Sequence, residues 1–163
     1  MKEKEIELLF ELIKNSKRSD RDIAKTIGVS QPSATRMRNK LKKEKVIREY
    51  TVIPEWEKLG YELAAFTFVS VAGGTKLVER GRKCAMANPN IILASCGEGM
   101  GMNSIAISLH RDYSDFLNFL QRLRDYWADY LKDIQSFVIS LKSNEPLMLK
   151  PLSYSYIAET KSG

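Results

Sequence analysis

Residues 19–48 constrain the fold of this chain more than any other segment, because they predict two short helices joined by a tight turn. Ser19 and Asp22 form a capping-box pattern that begins the first helix. Gly28 would end this helix at a position that favours a positive φ, and Ser30 would cap the next one. Two helices joined in this way form a helix-turn-helix unit, whose second helix can enter a DNA major groove. The first helix carries three apolar side chains on one stripe: Ile23, Ala24 and Ile27.

The net positive charge of the chain lies entirely in its first third. The chain carries +6, and residues 1–50 contain fourteen Lys and Arg against eight Asp and Glu, whereas residues 51–163 contain twelve of each. Within residues 31–45, six cations accompany a single acid, Glu44. Such a stripe is typical of a surface that replaces counterions along a phosphate backbone. A solvated helix face is the alternative, but the coincidence with the helix-turn-helix pattern favours double-stranded DNA as the partner.

The second helix of this unit supplies the candidate DNA-binding side chains. Gln and Asn can bond an adenine edge, Arg a guanine edge, and Ser or Thr either bases or phosphates. We expect the N-terminal part of the helix to read bases and the later lysines to contact phosphates. Arg38 lies at the margin of the buried face, so its stem would cross the core and its head would reach solvent. The candidates are Gln31, Ser33, Thr35, Arg36, Arg38, Asn39, Lys40, Lys42 and Lys43.

A further helix, predicted from about Glu3 to Lys14, would complete a three-helix unit of about fifty residues. Its predicted apolar stripe consists of Ile6, Leu9, Phe10 and Ile13. The β-branched segment Val46–Ile53 predicts a strand that ends at Pro54, because proline cannot donate to a ladder. A connector with a helical turn around Trp56 would follow.

The C-terminal part of the chain predicts a βαββαβ order, the ferredoxin-like arrangement with two helices on one face of an antiparallel sheet. The other sheet face has no cover within the chain, so it needs a partner or polar side chains. The fold class is therefore α+β, with a helix-turn-helix domain at 1–50, a linker at 51–63 and a ferredoxin-like domain with its tail at 64–163. The predicted elements are a strand at 64–72, a helix capped by Thr75, strands at 91–96 and around 105–109, a helix from Asp112 that includes Leu131, and a strand at 134–142.

The composition of the chain predicts the structure of its C-terminal tail and the cellular compartment of the protein. The tail could add an edge strand or cross the sheet of a partner, and its last residues are expected to be disordered. Cys84 and Cys96 form no CxxC pattern, which favours free thiols in a reducing cytoplasm over a disulfide. The apolar run Ala64–Ala72 is far shorter than the roughly 20 residues of a membrane helix, and the N-terminus does not resemble a signal peptide.

With these motifs in place, the chain resembles the Lrp/AsnC family of prokaryotic transcriptional regulators along essentially its whole length. Asp22–Ser30 matches the family's "(E/D)-(L/I)-A-x-x-(L/I)-G-(L/V)-S" core. Leu41–Thr51 resembles the family's "L-x-x-x-G-(V/I)-I-x-x-(Y/F)-(T/V)" segment, with Lys45 where glycine is usual. Pro54–Gly60 matches the "(D/P)-x-x-x-L-G" linker, and the general look of the sequence is archaeal.

The resemblance implies a homodimer, with an N-terminal DNA-binding unit, a linker strand that pairs with its counterpart, and regulatory sheets packed face to face. It also implies tetramers or octamers and small effectors such as amino acids, bound at contacts between regulatory domains. Between the second and third strands, the family usually shows a Gly-Asp-Tyr-Asp-like segment. This chain departs from that pattern, and only Glu98 could replace the missing acid. A flexible hairpin loop is an equally good interpretation of this segment. The candidate effector residues are Gly97, Glu98, Gly99, Met100, Gly101 and Met102.

Two other functions stay open at this point. Siroheme decarboxylases share the two-domain architecture, but tetrapyrrole chemistry would use histidines or arginines in the regulatory domain, and the chain has one histidine, His110. A lone histidine is more often a surface or hydrogen-bonded residue than a base. The sequence shows no paired-carboxylate, nucleophile–base or metal-ligand constellation, so we predict no enzyme activity, metal or cofactor. An architectural nucleoid protein with little sequence preference is the other alternative.

Overall fold

The chain folds into two units in a computed structural model that describes residues 1–73, 77–142 and 152–159. The first unit contains residues 1–53 and the described part of the tail, and the second contains residues 54–142. The helices are α1 (Glu3–Lys14), α2 (Asp20–Ile27), α3 (Gln31–Lys43), α4 (Val78–Ala87), α5 (Tyr113–Trp127) and α6 (Ser155–Glu159). The strands are β1 (Leu63–Val71), β2 (Ile91–Gly99), β3 (Met102–His110) and β4 (Leu131–Ser140), and a 3-10 turn covers Trp56–Leu59.

The predicted capping pattern of the first unit is confirmed. The Ser19 hydroxyl accepts from the Asp22 N–H at 3.1 Å and donates to the Asp22 carboxylate at 2.6 Å. This hydrogen bond from Ser19 holds the pKa of Asp22 below its usual value. Gly28 ends α2 with a φ of +69°, and the Ser30 side chain accepts from the Ser33 N–H to begin α3. The turn between α2 and α3 therefore follows directly from local side-chain chemistry.

Lys45 occupies the left-handed conformation at the end of α3, with a φ of 55°. The Val46 N–H donates to the Leu41 carbonyl at 3.0 Å, and the Lys45 N–H donates to the Lys42 carbonyl at 3.1 Å. These two bonds make a Schellman motif, in which the left-handed position normally carries glycine. A non-glycine residue there is disfavoured by about 1–2 kcal/mol.

The buried face of α1 differs from the predicted stripe. Leu8 and Leu12 are buried, whereas Ile6, Phe10 and Ile13 are only half-buried. Apolar residues lie on more than one side of α1, so the spacing of a single stripe does not identify the core face. The described part of the tail forms α6, which packs on α1 instead of adding a strand, so that prediction is wrong for these residues. The core of this unit consists of Leu8, Leu12, Ile23, Ala24, Ile27, Ala34 and Leu41.

The predicted strand at Val46–Ile53 is not formed within the single chain. A strand is stabilised by a hydrogen-bonded neighbour, and the described chain places none beside this segment. The predicted helical turn around Trp56 is confirmed as a 3-10 turn.

The second unit confirms the βαββαβ order and the α+β class. Its four antiparallel strands lie in the order β2-β3-β1-β4. On β1, Ala65 and Val69 pack against α4 and α5, so Ala64, Phe66 and Phe68 alternate onto the opposite face. The predicted core side of α5 is confirmed, because Phe116, Phe119, Leu120, Leu123 and Trp127 are buried.

Several boundaries in this unit differ from those predicted. The long helix ends at Trp127, and Leu131 begins β4 instead of continuing the helix. Strand β2 extends through the glycines to Gly99, which pairs with Met102 across a two-residue turn. Both turn residues, Met100 and Gly101, have positive φ, as a type I′ hairpin turn requires. The predicted Thr75 cap lies outside the described residues.

None of the helices in the described part of the chain is long and apolar enough to span a membrane.

His110 is a buried titratable group in the second unit. Its side chain is fully buried, its Nε2 lies 2.8 Å from the Ser108 hydroxyl, and its ring packs against Phe116 and Phe119. Burial lowers the pKa of His110, although the Asp115 carboxylate, whose Oδ2 lies 3.6 Å from Nδ1, opposes this effect. The imidazole is therefore neutral in the folded protein near pH 7.

We predict that acidification destabilises the second unit through His110. The unfolded histidine takes up a proton below about pH 6.5, while the folded one resists, so the unfolded state binds more protons and stability falls as pH falls. One proton limits the slope to about 1.4 kcal/mol per pH unit. Urea unfolding between pH 7 and pH 5 measures how the free energy of unfolding depends on pH. The His110→Asn variant should show a weaker dependence on pH. Because His110 is the sole histidine, a ring titration by NMR at or above pH 6.5 would contradict the prediction.

Candidate nucleic-acid interface

Helix α3 presents an exposed polar face at its N-terminal end. Gln31, Arg36 and Asn39 are exposed, and together with Pro32 and Thr35 they line a shallow cleft. The opposite face of the helix is anchored by Ala34 and Leu41 in the core. Packing therefore fixes which side of α3 is available to a ligand. Amide and guanidinium groups in this cleft are the groups that read base edges.

Cations dominate the C-terminal end of α3 and the residues after it. Lys42 and Lys43 are exposed in its last turn, and Lys45 and Arg48 are exposed beyond it. The Lys42 Nζ lies 6.0 Å from the centre of the Tyr50 ring, at the limit of a cation–π contact. This end of the helix matches the predicted phosphate-contacting segment in both charge and exposure.

Two of the predicted DNA-binding residues are engaged with Asp20 of α2. The Thr35 hydroxyl donates to Asp20 Oδ2 at 2.7 Å, and the Arg38 Nε lies 2.5 Å from Asp20 Oδ1. Arg38 Nη2 also donates to the Arg18 carbonyl at 2.9 Å. The expectation that the head of Arg38 reaches solvent is wrong, because only 18% of its side chain is exposed. The Asp20 carboxylate holds the Arg38 guanidinium against α2.

Lys40 is engaged with α1. Its Nζ lies 2.7 Å from Glu5 Oε1, and the Glu5 side chain is nearly completely buried. This hydrogen bond lowers the pKa of Glu5 and raises the pKa of Lys40, so both groups are charged near neutral pH. The Glu5 carboxylate also accepts from the Lys2 N–H at 2.9 Å. Half of Lys40 is exposed, but its charge is already balanced by a carboxylate.

Arg18 extends the ion-pair network across the first unit. Its guanidinium pairs with Glu11 of α1 and donates to the Thr26 hydroxyl of α2 at 2.7 Å. Sequence reasoning missed the three acids Glu5, Glu11 and Asp20 as structural partners. The sequence could have indicated these partners. Glu5 and Glu11 are charged residues on the inner side of α1, and Asp20 is a charged residue in the first turn of α2. Ser33, another predicted contact, lies 2.8 Å from the Ser30 hydroxyl.

The structure brings the predicted effector residues together in the β2–β3 hairpin. Gly97, Glu98 and Gly99 lie exposed at the end of β2, and Met100 is 77% exposed in the turn. Met102 is buried instead, so its side chain belongs to the interior. A Cβ added at Gly97, Gly99 or Gly101 would meet no atom within 4 Å. The hairpin is therefore an open projection and not a closed pocket.

His110 is not reachable by a substrate, because its side chain has no exposed surface. Among the described residues, no group of three or more His, Cys, Asp or Glu side chains is placed to hold a metal ion. Both cysteines in the described chain are free thiols, with Cys84 buried and Cys96 exposed.

Comparison with known proteins agrees with this geometry. Residues 1–48 match the family model described as winged helix-turn-helix DNA-binding. An HTH-type transcriptional regulator of Pyrococcus furiosus is 26% identical over 141 residues, which are 82% of this chain and 93% of that protein. The fold matches an AsnC family transcriptional regulator from Agrobacterium tumefaciens with a TM-score of 0.75 at 17% identity, over 96% of this chain and 99% of the other.

A second structural match is the transcriptional regulator of Neisseria meningitidis in its complex with L-Met. Its TM-score is 0.77 at 18% identity, over 93% of this chain and 96% of the other. The chain therefore combines a helix-turn-helix unit that matches a DNA-binding model with a four-stranded α+β fold that is similar to AsnC-family regulator structures.

We predict that Asp20 stabilises the contact between α2 and α3. Its carboxylate accepts from Thr35 and pairs with Arg38, so the Asp20→Ala variant leaves a guanidinium without its partner. Hydrogen bonds to charged groups contribute about 1.5–3 kcal/mol, and we expect a loss of stability in this range. Chemical denaturation followed by circular dichroism measures it. The matched control is Asp125→Ala, which removes a carboxylate from the exposed side of α5. Equal stability of the two variants would contradict the prediction.

Proposed function

We propose that the protein is a sequence-specific DNA-binding transcriptional regulator of the Lrp/AsnC type. The proposal rests on the different environments of the polar side chains along α3. Gln31, Arg36 and Asn39 are exposed on one face, while Thr35, Arg38 and Lys40 are bound to acids of the same unit. The free face is the one that a major groove would meet.

We assign base reading to Gln31, Arg36 and Asn39. Arg is the residue that most often contacts guanine, and Gln or Asn can bond adenine with two hydrogen bonds. We assign phosphate contacts to Lys42 and Lys43, with Lys45 and Arg48 extending the same positive surface. Of the nine predicted contacts, Arg38 and Thr35 are reassigned to positioning α3 against α2. Lys40 contributes less attraction than its charge indicates, because Glu5 balances it.

We predict distinct effects for two cations of α3. Arg36→Ala should weaken binding to the preferred site by about 1–3 kcal/mol while leaving non-specific binding nearly unchanged. Lys43→Ala should weaken binding to all sequences and reduce the slope of log K against log salt by about 0.9, because one phosphate contact is lost. Fluorescence anisotropy with selected and scrambled duplexes at several salt concentrations measures both.

The control for these variants is Lys83→Ala, which removes an exposed cation from α4 in the second unit. It should leave the salt slope as in the wild type. If Lys83→Ala and Lys43→Ala reduced the slope equally, the positive charge would act without a defined docking face. An unchanged preference in Arg36→Ala would show that another face reads the bases.

We further propose that the protein acts as a homodimer whose sheets pack face to face. The sheet face opposite α4 and α5 is apolar: Phe66 pairs with Ile107 and with Phe137, and Phe68 pairs with Ile105. Phe137 is 66% exposed, which is unusual for a large aromatic side chain. A second copy of this face would remove this apolar surface from water. The segment at 46–53, which lacks a neighbouring strand in the single chain, would then be free to pair with its counterpart.

We predict that Phe137→Lys abolishes dimer formation without unfolding the chain. The side chain is largely exposed in the single chain, so the substitution costs little there, but two lysines would face each other in the dimer. Analytical ultracentrifugation should show a shift from dimer to monomer mass. The matched control is Leu117→Lys on the outer side of α5, where 47% of the leucine is exposed. A dimer that persists in Phe137→Lys would exclude this face as the interface.

An effector bound near the β2–β3 hairpin is part of the same proposal. The Neisseria meningitidis relative was solved with L-Met, which supports a small ligand for this chain as well. The open hairpin of Gly97–Met102 needs a second surface to enclose a ligand, and a neighbouring copy would provide it. Glu98 is the acid in this segment that could receive an amino group.

A further inference from the structure

The second unit contains a recess between α4 and the edge of the sheet. Its volume is about 430 Å³, within the range of about 300–1,000 Å³ that is typical of small-molecule sites. Its deep wall consists of Val69, Cys84, Leu123 and Trp127, which also belong to the hydrophobic core of the unit. The recess therefore continues into the core and is not a shallow feature of the surface.

Small side chains explain why this space is open. Gly81 and Ala85 of α4 and Ala94 and Ala106 of the sheet line the recess. A Cβ added at Gly81 would lie 3.8 Å from the Trp127 ring, an ordinary contact distance, so the glycine leaves room for about one methyl group beside that ring. Strand β2 is the edge of the sheet and is exposed along nearly all of its length, so the recess opens beside it.

The polar groups at the recess indicate the kind of ligand. Arg82 is at the rim, but its guanidinium makes two hydrogen bonds to the Glu79 carboxylate, at 2.9 Å and 2.8 Å. Its charge is therefore balanced, and it provides no free cation for an acid. On the helix-facing side of the sheet, the other polar side chains of the lining are the hydroxyl of Ser104 and the thiols of the two cysteines. Buried charge without a partner is costly, so this lining disfavours a charged ligand.

We propose that this recess binds an uncharged, compact apolar molecule, with its ring or branched hydrocarbon part against Trp127 and a small polar group at the Ser104 hydroxyl. Such a ligand would join α4 to β2. The recess shares Ile105 of its lining with the strand pairs that define the proposed dimer face, but it does not depend on DNA binding. A flat protein surface would leave the deep part of the recess empty, whereas a small molecule fills it. Removal of apolar ligand surface from water against this lining is favourable.

The test uses two reporters that lie in the recess itself. In a Trp56→Phe background, Trp127 is the sole tryptophan, and energy transfer from it to the uncharged probe N-phenyl-1-naphthylamine reports binding. Cys96 is exposed and lines the recess, so its rate of reaction with Ellman's reagent reports occupancy. We expect saturable transfer with one probe per chain and a Cys96 reaction slowed by about tenfold or more at saturation.

The decisive variant is Ala94→Phe, which fills the recess from an edge strand where aromatic residues are well tolerated. It should raise the dissociation constant of the probe by about tenfold or more. The matched control, Ala87→Phe, adds the same side chain at an exposed position of α4 outside the lining and should bind as the parent does. Ala85→Leu is a second variant that fills the recess. It should also raise the dissociation constant of the probe, and it replaces Ala94→Phe in the test if that variant does not fold.

The proposal would be overturned by the absence of saturable transfer, by the absence of Cys96 protection, by equal binding of the probe to Ala94→Phe and Ala87→Phe, or by binding only at a different stoichiometry. Protection of Cys96 that rises with protein concentration in the absence of probe would show that a second copy covers the recess, and would also overturn it. DNA binding by Ala94→Phe is measured in parallel. Its retention separates failure of this site from failure of the regulator function.

Discussion

The ion pair between Asp20 and Arg38 is the interaction on which the DNA-binding surface depends. Apolar contacts from Ala34 and Leu41 hold α3 against the core, and such contacts have no directional preference. The Asp20 carboxylate adds a directional restraint, because it contacts Thr35 and Arg38 one turn apart on the same helix. A directional polar contact thus sets the orientation in which the neighbouring polar side chains are presented.

The balance of charges in the first unit follows from the same network. Glu5, Glu11 and Asp20 each pair with a cation inside the unit, so the six cations of residues 31–45 are not equivalent. Those that face α1 and α2 hold the three helices together, and those that face away are exposed to solvent. Net charge alone overestimates the number of phosphate contacts, since a paired lysine releases fewer counterions than an unpaired one.

Local side-chain chemistry made much of the fold predictable. Ser19, Gly28 and Ser30 act within a few residues of their own position, so the helix-turn-helix unit could be placed from the sequence. The position of the Arg38 guanidinium and the buried face of α1 could not be predicted from the sequence, because both depend on residues that are distant in the chain or on other elements. The strand at 46–53 was predicted from β-branched composition, but a ladder needs a neighbour that the single chain lacks. The recess beside α4 arises from several small residues on separate elements, and no spacing in the sequence signals it.

Lys45 shows a compromise between chain geometry and electrostatics. Its left-handed conformation suits glycine, yet the lysine keeps one more positive charge beside the last turn of α3. A glycine would relieve the torsional strain, but it would remove a cation beside the end of α3. The chain therefore keeps a positive charge at this helix end at the expense of some conformational stability.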